Sequence, residues 1–161
     1  MKKVILTLVL AFTGIFAANA QFWMGGAASV TINKDQSNYY AAPEMGYSFD
    51  FPLTIACAAD FDYTKNEVTS GWALSLTPYL RYTIAEIEKF SLSLDLLGQF
   101  GVKNVEGYRI GIRPIIAWMA TDNWVAAFSM GFAGYDNMYN NGAFCIDFAT
   151  AAPRIGLYYN F

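Results

Sequence analysis

Eight ionisable residues sit inside stretches whose side chains alternate between apolar and polar: Glu44, Asp60, Asp62, Arg81, Asp95, Arg109, Arg113 and Arg154. Four carboxylates and four guanidiniums can do two kinds of chemistry. Paired carboxylates in a cleft can move protons as general acid and base. Matched against arginine, whose planar fork fits a carboxylate, the same groups instead form charge-assisted hydrogen bonds. Covalent catalysis lacks its usual partner, because the chain contains no His. Ser29, Ser48, Ser75, Ser91, Ser93 and Ser129 therefore have no imidazole to activate them. With no His and no cysteine cluster, the usual transition-metal sites are missing too. The expectation is an internal Arg–carboxylate network, with no catalytic residue, no metal site and no cofactor.

The elements that would hold these charges read as strands. From Phe90 to Val102, the apolar Phe90, Leu92, Leu94, Leu96 and Phe100 oppose Ser91, Ser93, Asp95 and Gln99. From Arg154 to Phe161, Ile155, Leu157, Tyr159 and Phe161 oppose Arg154, Gly156, Tyr158 and Asn160. A period of two is that of a strand with one apolar and one polar face. The same pattern predicts strands over Phe22–Ile32, Tyr39–Phe49, Leu53–Tyr63, Trp72–Ile84, Tyr108–Ala120 and Trp124–Tyr135. In the last of these Phe128, Met130 and Phe132 are expected on one face. Short turns fall at 50–52, 85–89 and 121–123, and longer polar loops at 33–38, 64–71, 103–107 and 136–142. In the eighth strand Phe144, Ile146 and Phe148 are out of phase with Ile155 to Phe161, which predicts a bulge between Ala149 and Pro153.

Composition decides what surrounds these strands. Hydrophobic residues make up 55% of the chain and charged residues 14%, against about a quarter charged in ordinary soluble domains. After residue 20 no apolar run reaches the eighteen or so residues that a spanning helix needs. A membrane β-barrel reconciles the two facts, because only alternate residues must be apolar. A charge facing lipid near the midplane would cost about 2–4 kcal/mol, so the eight strand charges must point inward. All four Arg lie in strands, whereas Lys34, Lys65, Lys89 and Lys103 fall in loops or turns. Eight strands leave an interior just wide enough for side chains to fill. Aromatic residues gather at both strand ends: Phe22, Phe49, Tyr82, Phe90, Trp118, Trp124 and Phe161 on the turn side, and Tyr39, Tyr63, Trp72, Tyr108 and Tyr135 on the loop side. Two such girdles anchor a barrel at the two membrane interfaces.

The first twenty residues have the form of a cleaved signal peptide: Lys2 and Lys3, an apolar stretch from Val4 to Phe16, then Ala18-Asn19-Ala20. Residues 21–161 would then be one barrel domain, with a formal charge of -5 after Lys2 and Lys3 are taken from the -3 of the full chain. That balance argues against a nucleic-acid partner. Cys57 and Cys145 fall on the third and eighth strands, which are not neighbours, so no disulfide is expected. Pro43, Pro78, Pro114 and Pro153 recur once per hairpin, each four residues before Tyr47, Tyr82, Trp118 and Leu157. A proline inside a closed ladder removes a hydrogen bond, so each should mark a bulge or a non-bonded position.

These features resemble the small outer-membrane barrels of the OmpA-like and OmpX-like group. The likeness is carried by Thr77-Pro78-Tyr79-Leu80-Arg81-Tyr82, by Arg113-Pro114-Ile115-Ile116-Ala117-Trp118 with Thr121-Asp122-Asn123-Trp124, and by the closing Gly156-Leu157-Tyr158-Tyr159-Asn160-Phe161. It implies an all-β fold, an eight-stranded antiparallel up-and-down transmembrane β-barrel in the cell outer membrane. It also implies that Phe161 acts as an assembly signal for the barrel-assembly machinery. Partners would be outer-membrane lipid and that machinery, and the barrel would be a monomer. The expected role is structural or interactive, with a charge-plugged interior and no catalysis. One alternative is a narrow outer-membrane transporter or channel for small molecules, apolar ones included. Another is a soluble, exported, lipocalin-like barrel, which would need an apolar interior and a polar exterior.

Overall fold

Alternation along each chain segment translates directly into a ring of antiparallel ladders. The computed structural model describes residues 21–32, 34, 36–66, 70–129, 131–147 and 154–161. It places β1 at Gln21–Ile32, β2 at Gln36–Ser48, β3 at Leu53–Asn66, β4 at Ser70–Ile87, β5 at Phe90–Lys103, β6 at Tyr108–Met119, β7 at Trp124–Ser129, β8 at Phe132–Asp136, β9 at Ala143–Asp147 and β10 at Arg154–Asn160. There is no helix among the described residues.

These ten segments build eight barrel strands. β1 to β6 pair in sequence order. β7 and β8 lie end to end against β6 and together form the seventh strand. β9 pairs with β8 and β10 with β7, and together they form the eighth. β10 then pairs with β1, Met24 opposite Tyr159, and the barrel closes. Closure pairs the β1 edge from Trp23 to Ala28, and among the described residues only β9 and the end of β1 beyond Ala28 keep a free edge. The seam is reinforced by Phe161 N–H donating to the Phe22 carbonyl at 3.0 Å and by the two rings, whose centroids are 5.6 Å apart.

Strands run further than expected on both sides. β3 and β4 continue to Lys65 opposite Ser70, so much of the expected 64–71 loop is ladder, and residues 67–69 lie outside the described residues. Lys65 and Lys103 are accordingly at strand ends rather than in loops. β4 runs to Ile87, leaving Glu88 and Lys89 as the turn, with Glu88 at φ 52°. The N-terminal twenty residues, Pro153 and the expected bulge between Ala149 and Pro153 all lie outside the described residues.

The seventh strand carries a device that alternation did not reveal. Ile112 pairs with Ala133 and Ile115 with Ser129, so the β7–β8 strand has one residue more than β6 across the interval. That is a β-bulge, and Gly131 takes φ 71° in it, a backbone conformation that only glycine adopts freely. The extra residue flips the faces. Ala127 points inward on β7, but on β8 the inward set is Phe132, Gly134 and Asp136. Phe132 is thus buried, not on the outer face beside Phe128; Met130 lies outside the described residues. The eighth strand changes phase too, since Phe144 and Ile146 on β9 and Ile155 and Leu157 on β10 all project outward.

The prolines share a position. Pro43, Pro78 and Pro114 pair normally with the preceding strand, opposite Gly26, Cys57 and Leu94. Toward the following strand the paired register is interrupted at each of them: between Ala41 and Glu44, between Leu76 and Tyr79, and between Ile112 and Ile115. Proline has no N–H to give to that side, so each sits where the ladder is already open.

Candidate functional site

The inner face is assembled by register. Arg81 lies opposite Asp95 on one side and Arg113 opposite the same Asp95 on the other, so three adjacent strands place one carboxylate between two guanidiniums. Arg81 Nε and Nη2 reach the two Asp95 oxygens at 2.7 and 3.1 Å, and Arg113 Nη2 reaches Oδ2 at 2.9 Å. Asp95 is fully buried. Two charge-assisted partners offset a desolvation cost that one lone carboxylate could not survive.

A second group lies higher in the lumen. Asp60 accepts hydrogen bonds from the hydroxyls of Tyr40 and Thr77. Arg154 comes from β10 to donate to Tyr40 Oη at 2.7 Å, with its Nη1 at 3.7 Å from Asp60, and its guanidinium stacks 4.0 Å from the Tyr40 ring. Glu44 accepts from Tyr79 Oη at 2.6 Å. Asp62 also faces inward, and among the described residues it has no ion pair within 4.0 Å.

Arg109 finds a partner that sequence reading put in a loop. Asp136 is the last residue of β8, directly opposite Arg109, with Arg109 Nε 3.0 Å from Oδ2. Its other oxygen accepts the backbone N–H groups of Met138 and Tyr139, both at 2.9 Å. One buried carboxylate therefore joins the inner wall to the 137–142 loop. Arg109 also lies 4.0 Å from the Phe132 ring and 5.4 Å from that of Tyr139. Burial, with the Asp62 carboxylate adding to it, pushes the Tyr139 hydroxyl up to about 12. The signal that would have found Asp136 is the Gly131 bulge: once the face flips at 131, Asp136 falls on the inward set with Phe132 and Gly134.

Among the described residues the lumen is packed at the turn end and hollow toward the loop end. Trp23, Tyr79, Leu97, Ile115, Phe132 and Tyr158 form one buried cluster, with Trp23 and Tyr158 edge to face at 5.1 Å. The Trp23 ring can reach this position because Gly46 faces it; a Cβ there would overlap Cζ2 of the indole. Above the cluster is a cavity of about 920 Å³ whose wall rises to Thr31, Thr64, Ser70 and Asn140 at the loop end. Below it is a gap of about 10 Å³ beside Glu44, Arg81 and Tyr158, room for no more than one water. Arg113, Ser129 and Arg154 border both spaces and form the partition.

The outer face carries the apolar side chains. Ile55, Leu80, Leu92, Leu96, Ile116 and Leu157 are each 40–54% exposed, and the aromatic rings sit at the two ends in contact with one another. Tyr39 meets Tyr63 at 6.1 Å and Tyr108 meets Tyr135 at 5.8 Å on the loop side; Trp124 meets Tyr159 at 5.2 Å on the turn side. Cys57 is a free thiol exposed on this face, and Cys145 a free, partly buried thiol facing the inner cluster. No known family model matches the chain, and no curated protein matches it.

Proposed function

We propose that this chain is an integral outer-membrane β-barrel with a structural or interaction role and no catalysis. The observation that carries the reading is the inversion of ordinary packing. The buried charges and most hydrogen-bonding side chains face inward, around a small apolar cluster and a cavity, while large apolar side chains cover the outside. Isolated exposed apolar residues are commonplace on soluble proteins, but a contiguous patch larger than several hundred Å² marks an interaction surface. From Trp72 to Tyr82 on β4, a rise of roughly 3.3 Å per residue and a tilt of about 40° give an aromatic-to-aromatic height of about 25 Å. That matches the apolar band of outer-membrane barrels.

Kinship with the OmpA-like and OmpX-like barrels is our reading of the proline-bearing strands and the Asp122-Asn123-Trp124 turn. In that reading the loops face outward from the cell and the short turns face the periplasm. The outward-facing Phe161 ring, on the closing strand, serves the assembly machinery. Export by a cleaved signal peptide and a monomeric state belong to the same proposal. The buried aromatic and Arg–Asp cluster favours a plugged barrel over an open channel, and the polar lumen counts against a lipocalin-like carrier of apolar ligands.

The test is fluorescence quenching by lipids brominated at defined acyl depths. Trp72, Trp118 and Trp124 are outward and 43–45% exposed, whereas Trp23 is buried inside. A W72F/W118F/W124F variant should lose nearly all quenching although Trp23 still emits. Unchanged quenching in that variant would refute a lipid-facing exterior.

A further inference from the structure

We infer that the cavity of about 920 Å³ at the loop end is a binding site for a small, hydroxyl-rich anion of the sugar-acid type. The inference goes beyond a structural role, and it holds whichever solvent bathes the outer face.

Orientation of the ion pairs is the first ground. In each pair the carboxylate lies in the wall and the guanidinium stands in front of it. Side-chain exposure is 0% for Asp95 against 11% for Arg113, 2% for Asp136 against 15% for Arg109, and 2% for Asp60 against 26% for Arg154. All three arginines line the cavity. A molecule entering it therefore meets cationic N–H edges before it meets their counter-ions.

The second ground is an unmet donor. Arg113 is 9% exposed, and its Nε–H is buried with no hydrogen-bond partner among the described residues. Arg109 Nε, on the same wall, is likewise buried without a hydrogen-bond partner among the described residues. A buried donor left without an acceptor costs about 1–3 kcal/mol, so a small shift of either guanidinium that turned its Nε–H to a ligand oxygen would gain a bond at no expense to existing ones. Arg113 forms that floor with Ser129 and Arg154.

The remaining lining sets the body of the ligand. Hydroxyl and amide groups, among them Ser29, Thr31, Gln99 and Asn104, share the wall with apolar side chains such as Trp72 and Phe132, the mixture that a sugar ring with polar edges and C–H faces requires. The volume is within the range of small-molecule sites, about 300–1,000 Å³. A ring bearing several hydroxyls and one carboxylate satisfies both the wall and the floor. Asp62, on the same wall, is the one carboxylate that faces the cavity without an ion pair among the described residues, and it defines the competing outcome, an amine ligand.

Three probes of one size separate these cases: glucuronate, glucose and glucosamine, titrated calorimetrically into the folded barrel in detergent. Glucuronate is expected to bind saturably and at least about tenfold tighter than the other two, as a charge-assisted contact implies, and to weaken as salt rises. Arg113→Lys keeps the charge but removes the Nε–H, and should reduce glucuronate affinity by about tenfold. Should that variant fail to fold, Ser29→Trp, which places a ring in the cavity, should abolish binding. Equal binding of glucose, a preference for glucosamine, no saturable binding of any probe, or full glucuronate binding by the Ser29→Trp barrel would each overturn the assignment.

Discussion

Arg113 Nη2 lies 2.9 Å from Asp95 Oδ2, and the carboxylate it touches is the one that Arg81 holds from the opposite strand. Removing that carboxylate leaves two guanidiniums facing each other in a closed interior. Asp95→Asn should therefore destabilise the barrel by about 3–5 kcal/mol, the range for breaking a buried pair. Asp62→Asn, which breaks no ion pair among the described residues, should stay within about 0.5 kcal/mol. Urea unfolding of the two variants in detergent, followed by gel mobility, gives the comparison; equal midpoints would contradict the role assigned to Asp95.

The two faces of the wall should respond oppositely to one added charge. Leu96 is outward and 54% exposed, while Ser29 points into the upper cavity. Leu96→Arg should cost about 2–4 kcal/mol in a bilayer, and Ser29→Arg should insert nearly as well as the parent chain. Folded yield in liposomes is the readout, and the reverse order would mean the faces are exchanged.

Gly131 holds φ at 71° in the bulge that turns Phe132 and Asp136 inward. Gly131→Val should cost about 1–3 kcal/mol, because a β-branched residue is strained there. The loss should appear mainly at the β8 end. Hydrogen exchange of Phe132 to Asp136 should rise more than that of Trp124 to Ser129.

The plug depends on a glycine facing a ring. A Cβ on Gly46 would overlap the Trp23 indole, and Trp23 is packed edge to face on Tyr158. Gly46→Val should force the indole out of place at a cost of about 1–3 kcal/mol, the range for overpacking. Near-ultraviolet circular dichroism should lose Trp23 intensity while the far-ultraviolet strand signal is kept. An unaltered aromatic signal would argue against the plug.

Much of this architecture is legible in alternation alone. Strands such as Phe90–Lys103 alternate polar and apolar residues from Phe90 to Leu96, with Leu97 the one large apolar residue on the inner face, so their span and inward face follow from period two. The inward position of Glu44, Asp60, Asp62, Asp95 and the four arginines follows for the same reason. What alternation cannot carry is phase across a bulge. One extra residue at Gly131 moved Phe132 from the expected outer face to the inner cluster, and moved Asp136 from the loop to a buried salt bridge with Arg109. Pairing partners are equally hidden. That Arg81 and Arg113 share Asp95, while Arg154 crosses the lumen to Asp60, is set by register, which a single strand does not encode.

The most direct measurement is heat-modifiable migration of the barrel from Gln21 to Phe161, refolded with and without detergent or lipid, with circular dichroism alongside. A compact, strand-rich species that runs faster unboiled than boiled, and forms only when detergent or lipid is present, is the expected result. A stable, strand-rich monomer in plain buffer would contradict the lipid-facing exterior.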